Sequence, residues 1–156
     1  MNIINTKIPD VLVIEPKVFK DERGFFYESF HKERYIENIG INLDFVQDNF
    51  SYSTKNVLRG LHYQIKKPQG KLIHVIEGRI FDVAVDIRKD SLTFGQWFGL
   101  ELSEKNNKQL WLPPGMAHGF LVLSTSAKFF YKCTGYYDPL DEGCILWNDP
   151  SIGIDW

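Results

Sequence analysis

Cysteine is scarce. The 156 residues hold two, Cys133 and Cys144, which supply neither a disulfide framework nor a thiolate metal spacing. An excess of one charge is also lacking. Lys and Arg number 18, Asp and Glu number 20, and the formal charge is −2, so no bulk field draws the chain to nucleic acid. Long hydrophobic runs are missing as well. The uncharged stretch Leu110 to Ala127 contains Pro113, Pro114, Gly115, His118 and Gly119 and fails as a membrane helix. Met1 to Asp10 lacks the charged-then-apolar order of a secretion signal. Internal repeats, low-complexity tracts and linkers are absent, and helical periodicity is confined to His31–Ile39. These absences predict a reduced, soluble, cytoplasmic protein without nucleic-acid or membrane partners. A mass of 18.2 kDa fits one domain.

Aromatic residues are plentiful, at 15% of the chain, which suits a thick β core, a stacking pocket, or both. Glycine and proline punctuate the chain at short intervals, and the runs between them are rich in Val, Ile, Phe, Tyr and Trp. This pattern predicts many short strands in a sandwich or barrel. The expected strands are Val11–Ile14, Phe25–Phe30, Phe45–Asn49, Val57–Gln64, Lys71–Ile76, Arg79–Ile87, Trp97–Leu102, Gln109–Leu112, Gly119–Leu123, Lys128–Tyr137 and Gly143–Trp147. Glu77-Gly78 reads as a tight hairpin turn. In Arg79–Ile87, Phe81, Val83, Val85 and Ile87 share one face, and Asp82, Ala84 and Asp86 share the other.

Several short stretches carry chemistry. Leu58-Arg59-Gly60-Leu61-His62 puts two bases in one strand. Strict alternation would set Arg59 and His62 on opposite faces, but Gly60 can host a bulge that re-aims one of them. Read alone, the pair is more often a surface arginine beside a hydrogen-bonded core histidine. Lys71 opens the following strand and is expected beside the His62 strand. Pro113 to His118 forms a corner that aims an imidazole inward. Tyr131, Cys133, Gly135 and Tyr137 alternate onto one face, leaving a slot between two phenols, although core packing is the commoner fate of a strand tyrosine. Arg23 and Glu28 flank aromatics that include Phe26, and arginine's planar fork suits phosphate. Gln47-Asp48-Asn49 is a polar cluster able to hydrogen-bond a sugar or a base.

The order and spacing of these stretches resemble one family. Asp21-x-Arg23-Gly24-x-Phe26-x-Glu28, Gln47-Asp48-Asn49, Leu58-Arg59-Gly60-Leu61-His62, Gly70-Lys71, Phe81-Asp82-Val83-x-Val85-Asp86-x-Arg88, Pro114-Gly115-x-Ala117-His118-Gly119-Phe120 and Trp147-x-Asp149-Pro150 resemble the dTDP-4-dehydrorhamnose 3,5-epimerase family, from about Ile8 to Trp156. The resemblance implies an all-β, cupin-type antiparallel barrel with one short helix, usually a homodimer. It also implies the conversion of dTDP-4-dehydro-6-deoxy-D-glucose to dTDP-4-dehydro-L-rhamnose without metal or organic cofactor. Close relatives invert the third carbon alone or use other nucleotides.

By matched position the resemblance makes His62 the general base, Tyr131 the acid and Lys71 the partner of the enolate oxygen. Arg23 and Arg59 correspond to diphosphate contacts. Phe26, Glu28, Gln47, Asp48, Asn49, His118 and Glu142 correspond to contacts with nucleotide or sugar, and Tyr137 to the ring that stacks on thymine. Family members continue past the Ile154-Asp155-Trp156 segment into a tail with a Ser-x-Lys-Asp-like motif, whose aspartate partners the catalytic histidine. The expectation for residues 1–156 is therefore one epimerase domain without that tail, with Asp82 or Asp86 as substitute partners of His62. Two other readings remain. One is a metal-dependent cupin using His62, His74 and His118, which the missing His-x-His pair disfavours. The other is a nucleotide-sugar binder without catalysis.

Overall fold

Strands dominate, and the computed structural model, which describes residues 1–156, contains a single helix. In chain order the elements are β1 (Asn2–Asn5), β2 (Leu12–Glu15), β3 (Phe19–Asp21), β4 (Gly24–Phe26), α1 (Lys32–Ile39), β5 (Gln47–Thr54) and β6 (Leu58–Gln64). They continue as β7 (Lys71–Glu77), β8 (Arg79–Asp86), β9 (Trp97–Ser103), β10 (Gln109–Leu112), β11 (Met116–Val122), β12 (Ser126–Cys133) and β13 (Glu142–Cys144). Two sheets face each other, with orders β1-β2-β10-β7-β12-β5 and β13-β6-β11-β8-β9, and all pairings are antiparallel. β3 and β4 form a separate hairpin. This is the expected all-β barrel with one short helix.

Alternation decides which side chains go inside. Ile73 and Val75 of β7, Leu110 and Leu112 of β10, Phe120 and Val122 of β11, and Phe129 of β12 form the main core together with Ile80 and Ala84 of β8. Each fully buried side chain of this kind contributes about 1.5–3 kcal/mol. The outer face of the six-stranded sheet offers Ile14, Leu72 and Trp111 to Tyr35 of α1 and to Ile41. α1 begins at its cap His31 and ends at Gly40 in the left-handed conformation, φ 75°. The outer face of the other sheet presents Val83, Val85, Leu61 and Ala117, with Phe81 and Ile87 packed against them, to Ile145, Ile152, Ile154 and Trp156. The two predicted faces of Arg79–Ile87 are thus both apolar destinations, and the Asp82 face is the one turned into the barrel.

Several boundaries differ from the sequence expectation. β5 starts at Gln47 and runs to Thr54, so Phe45 packs beside Trp111 instead of starting a strand. β12 ends at Cys133, and 134–141 is a connection held by side chains. β2 is paired on both edges, so it has no free edge to offer a neighbour's sheet. The open edges of that sheet are β1 and β5.

His74 lies on the outer face of β7, buried against Phe130 at 5.1 Å between ring centroids. Burial, aided by the positive charge of Lys132, pushes its pKa down from 6.5 to about 4. The unfolded chain therefore binds this proton at a higher pH than the folded chain does. Stability present above pH 6.5 is lost as pH falls towards 4, by about 3 kcal/mol at most. Urea unfolding of His74→Phe, which keeps a ring against Phe130, is expected to lose this component of the pH 7 to 4.5 slope. An unchanged slope would assign the acid sensitivity to other groups.

Candidate functional site

Between the sheets, at one end of the barrel, lies a cavity of about 630 Å³. The five-stranded sheet supplies Arg59 and His62 from β6, His118 from β11 and Glu142 from β13. The facing sheet supplies Gln47, Asn49 and Ser51 from β5, Lys71 from β7 and Tyr131 from β12. Tyr137, in the 134–141 connection, closes the lining. Lys71 thus stands across the barrel from the His62 strand and not beside it. That expectation is corrected because β7 pairs with β10 and β12.

Arg59 and His62 reach one cavity through an irregularity in β6. Three steps along β6, from Arg59 to His62, are matched by two along β11, from Phe120 to His118. The extra residue breaks alternation and turns both bases inward. Gly60 permits it. Its φ is +110°, and a Cβ there would stand 2.4 Å from the His118 carbonyl oxygen and 2.5 Å from the Gly119 Cα.

Each inward base has a defined neighbour. Arg59 Nε donates to Ser53 Oγ at 3.0 Å. His62 Nδ1 lies 3.0 Å from Glu142 Oε1. His118 Nε2 lies 3.1 Å from both Asp82 oxygens, with both residues buried. Asp86 is committed elsewhere: it accepts from Arg88, Ser91 and Thr93. These bonds overcome the effect of burial and hold its carboxyl well below the usual range. Neither Asp82 nor Asp86 therefore partners His62; Glu142 does.

On the facing wall the register sets rows across three strands. Gln47, Cys133 and Lys71 form one, Asn49, Tyr131 and Ile73 the next, and Ser51, Phe129 and Val75 the third. Phe129 packs between the walls, 4.7 Å from Phe120, 5.1 Å from Tyr131 and 6.1 Å from His118. Desolvation lowers the Lys71 pKa, opposed by Cys133, Asp82 and Glu142. Burial raises the Tyr131 pKa, with Arg59 opposing it, so the phenol keeps its proton at neutral pH. The buried Ser51 hydroxyl has no partner in the chain.

Four expected site residues lie outside this cavity. Asp48 alternates to the outer face of β5, where it pairs with Lys132 at 2.9 Å. Arg23 and Phe26 sit on the β3–β4 hairpin. The Arg23 side chain is 86% exposed and pairs with Asp21 at 2.7 Å. Phe26 is 69% exposed. Glu28 pairs with Arg34 at 2.7 Å. His74 is on the opposite face of β7 from Lys71, so the three histidines of the metal reading do not converge.

The sequence reading also missed the residues that hold the lining in place. Gln64 accepts from the Asp138 amide at 2.8 Å and donates to the Lys67 carbonyl at 2.8 Å. Asp141 accepts from the amides of Lys66 and Lys67. Asp82 was noticed, but for the wrong histidine. Polar residues at strand ends were the available signal, and only the fold tells which loop each one ties.

The sequence model of dTDP-4-dehydrorhamnose 3,5-epimerase matches residues 5–156. The enzyme of that name from Salmonella typhimurium is 60% identical over 157 residues, covering 100% of this chain and 86% of that protein. A crystal structure of dTDP-6-deoxy-D-glucose-3,5-epimerase from Legionella pneumophila, in complex with dTDP-4-keto-L-rhamnose, superposes with a TM-score of 0.97 at 60% identity. It covers 99% of this chain and 82% of that one. The dTDP-4-dehydrorhamnose 3,5-epimerase from Bacillus anthracis, with TDP and PPi bound, gives 0.95 at 46% identity, covering 99% and 89%.

Proposed function

Since the chain belongs to the dTDP-4-dehydrorhamnose 3,5-epimerase family, we propose that it inverts the third and fifth carbons of dTDP-4-dehydro-6-deoxy-D-glucose, giving dTDP-4-dehydro-L-rhamnose. The observation that carries this reading is the pair of opposed walls, with His62 on one sheet and Tyr131 on the other, around a single cavity.

The ketone on the fourth carbon acidifies the protons on its neighbours. His62 removes one as a neutral imidazole. The resulting enolate oxygen takes its positive partner from Lys71, whose charge is worth more in a partly desolvated wall than in water. Tyr131 returns a proton from the facing wall, which is the opposite face of a sugar ring lying between the sheets. Net inversion needs this two-sided arrangement, whereas a base and acid on the same wall would restore the original centre. Arg59 and His118 hold the diphosphate and sugar end, and Tyr137 stacks on the base. The Legionella protein was captured with dTDP-4-keto-L-rhamnose, the product assigned here. Because the substrate is a nucleotide sugar, the reaction belongs in the cytoplasm. No helix is long and apolar enough to cross a membrane.

The working unit in this reading is a homodimer. Arg23, Phe26 and Glu28 correspond to substrate contacts, yet within one chain they stand outside the cavity. The hairpin that carries the first two also exposes Phe19 and Phe25, and a clustered apolar surface of this kind marks an interface. A second copy that accepts this hairpin at its own cavity mouth accounts for both observations.

Incubation with dTDP-4-dehydro-6-deoxy-D-glucose in deuterated water tests the reaction. NMR is expected to show deuterium at both the third and fifth carbons, with inversion. Exchange at the third carbon alone would narrow the assignment to a mono-epimerase. Tight binding without exchange would replace it with the binder reading.

A further inference from the structure

We infer that Ser51 and Ser53 of β5 complete the seat for the phosphate that carries the sugar. Ser53 fixes the Arg59 side chain, and Ser51 donates its hydroxyl to a phosphoryl oxygen. This rests on the epimerase reading and brings in two residues that it leaves without a role. Alternation along β5 turns Gln47, Asn49, Ser51 and Ser53 inward and Asp48, Phe50, Tyr52 and Thr54 outward. The two serines therefore stand about 6.8 Å apart on one inward row. Arg59 Nε donates to Ser53 Oγ at 3.0 Å, its one hydrogen bond within the chain. Ser53 is 5% exposed and lies behind the arginine. Ser51 lines the cavity itself, and its buried hydroxyl has no partner in the chain.

The chemistry of this corner calls for an anion. Glu142 is taken by His62 and Tyr137, Asp82 by His118, and Asp48 by Lys132 on the outer face. No carboxylate of the cavity neutralises Arg59. Because Nε is committed to Ser53, the two terminal nitrogens remain, and they form an end-on fork that grips two oxygens of one phosphoryl group. A buried hydroxyl without a partner destabilises the free protein, and that cost is relieved when a ligand oxygen arrives. Position along the wall says which oxygen. Lys71, Tyr131 and Ser51 occupy successive rows across β7, β12 and β5. With Lys71 at the oxygen on the fourth carbon and Tyr131 beside the reacting carbon, Ser51 falls at the far end of the sugar ring. There the first carbon bears its phosphate. The charge of Arg59 reaches Tyr131 as well, which puts the guanidinium at the same end. The sugar's 2-hydroxyl is the competing oxygen at this end, and it carries no charge for Arg59 to meet.

Calorimetric titration of the full chain with dTDP, and with dTMP, which lacks the second phosphate, reads this seat. Wild type is expected to bind dTDP more tightly than dTMP. Ser51→Ala is expected to weaken dTDP about 10-fold and to leave dTMP unchanged. Because it removes an orphaned hydroxyl, its ligand-free Tm is expected to hold or rise. A lower Tm would mean that the hydroxyl is already satisfied in the free chain, and would overturn its role. Ser53→Ala is expected to weaken dTDP about 3–10-fold, and Ser53→Thr, which keeps the hydroxyl, to restore it. With the 4-keto sugar nucleotide, KM is expected to rise by the same factors at constant kcat, since the phosphate does not react. Equal losses for dTDP and dTMP in Ser51→Ala would overturn the phosphate contact. A loss confined to the sugar nucleotide would overturn it too, by moving Ser51 to the 2-hydroxyl. Ser53→Thr binding as weakly as Ser53→Ala would overturn the positioning of Arg59. Wild type that discriminates dTDP from dTMP as expected, yet exchanges no tested 4-keto nucleotide sugar, would overturn the epimerase reading and leave the phosphate seat standing.

Discussion

In deuterated water, His62→Ala is expected to abolish deuterium uptake at both sugar carbons, while Tyr131→Phe keeps exchange and loses inversion. Without the imidazole no enolate forms, because the remaining bases on its wall are unsuited. Arg59 presents a guanidinium, which has donors and no acceptor, and His118 is held against Asp82. Without the phenol the enolate still forms and is still held by Lys71, but protonation from the facing wall fails. His62 then returns a solvent-derived deuteron to the face it came from. Each substitution is expected to lower net epimerisation by about 100-fold or more, the scale of general acid–base groups. Phenylalanine at 131 keeps the ring beside Phe129, 5.1 Å away, so thermal unfolding is expected to change little. Wild-type exchange in His62→Ala would reassign the base, and equal loss of exchange in both variants would deny the two residues separate roles.

The second large effect concerns the hairpin. A chain carrying both Arg23→Ala and Phe26→Ala is expected to fold normally, because both side chains lie in solvent within one chain. It is nevertheless expected to lose activity by about 100-fold, through a lost charge-assisted phosphate contact and a lost apolar contact. Mixing it with His62→Ala after joint refolding or co-expression creates mixed dimers. In each, one cavity has an intact His62 wall from the first variant and an intact hairpin from the second. Random pairing makes half of the dimers mixed with one good cavity each, so about a quarter of wild-type activity is expected to return. No recovery, with mixed dimers demonstrated by mass, would mean that the hairpin serves its own chain. Recovery without dimers is excluded by the design, since neither chain holds both parts intact.

The strand-rich architecture was legible from alternation and from glycine and proline spacing. β7, β8 and β10 fall where apolar periodicity put them, and α1 lies between the His31 cap and Gly40. Those signals are local, and local sterics and side-chain direction decide them. The cavity residues His62, Lys71, His118 and Tyr131 were named from the sequence too, through their matched positions in the family, since each read alone is equally a core or surface side chain. The bulge was foreshadowed by Gly60, because only glycine accepts its φ of +110° with the β11 backbone so near.

Pairing between residues far apart in the chain was not legible. Asp82 and Asp86 both read as carboxylates on the polar face of one strand, able to serve His62. Their partners follow from which strand lies next to β8: β11 brings His118 to Asp82, and the turn after β8 folds Arg88, Ser91 and Thr93 onto Asp86. Likewise Lys71 follows His62 closely in sequence but faces it across the barrel, and Glu142, eighty residues later, touches it. Sequence alone determined that this is a β protein with a basic, tyrosine-containing pocket. Tertiary structure alone decided which carboxylate holds which histidine and on which wall base and acid stand. Strand order is set by packing among distant segments, and no local preference encodes it.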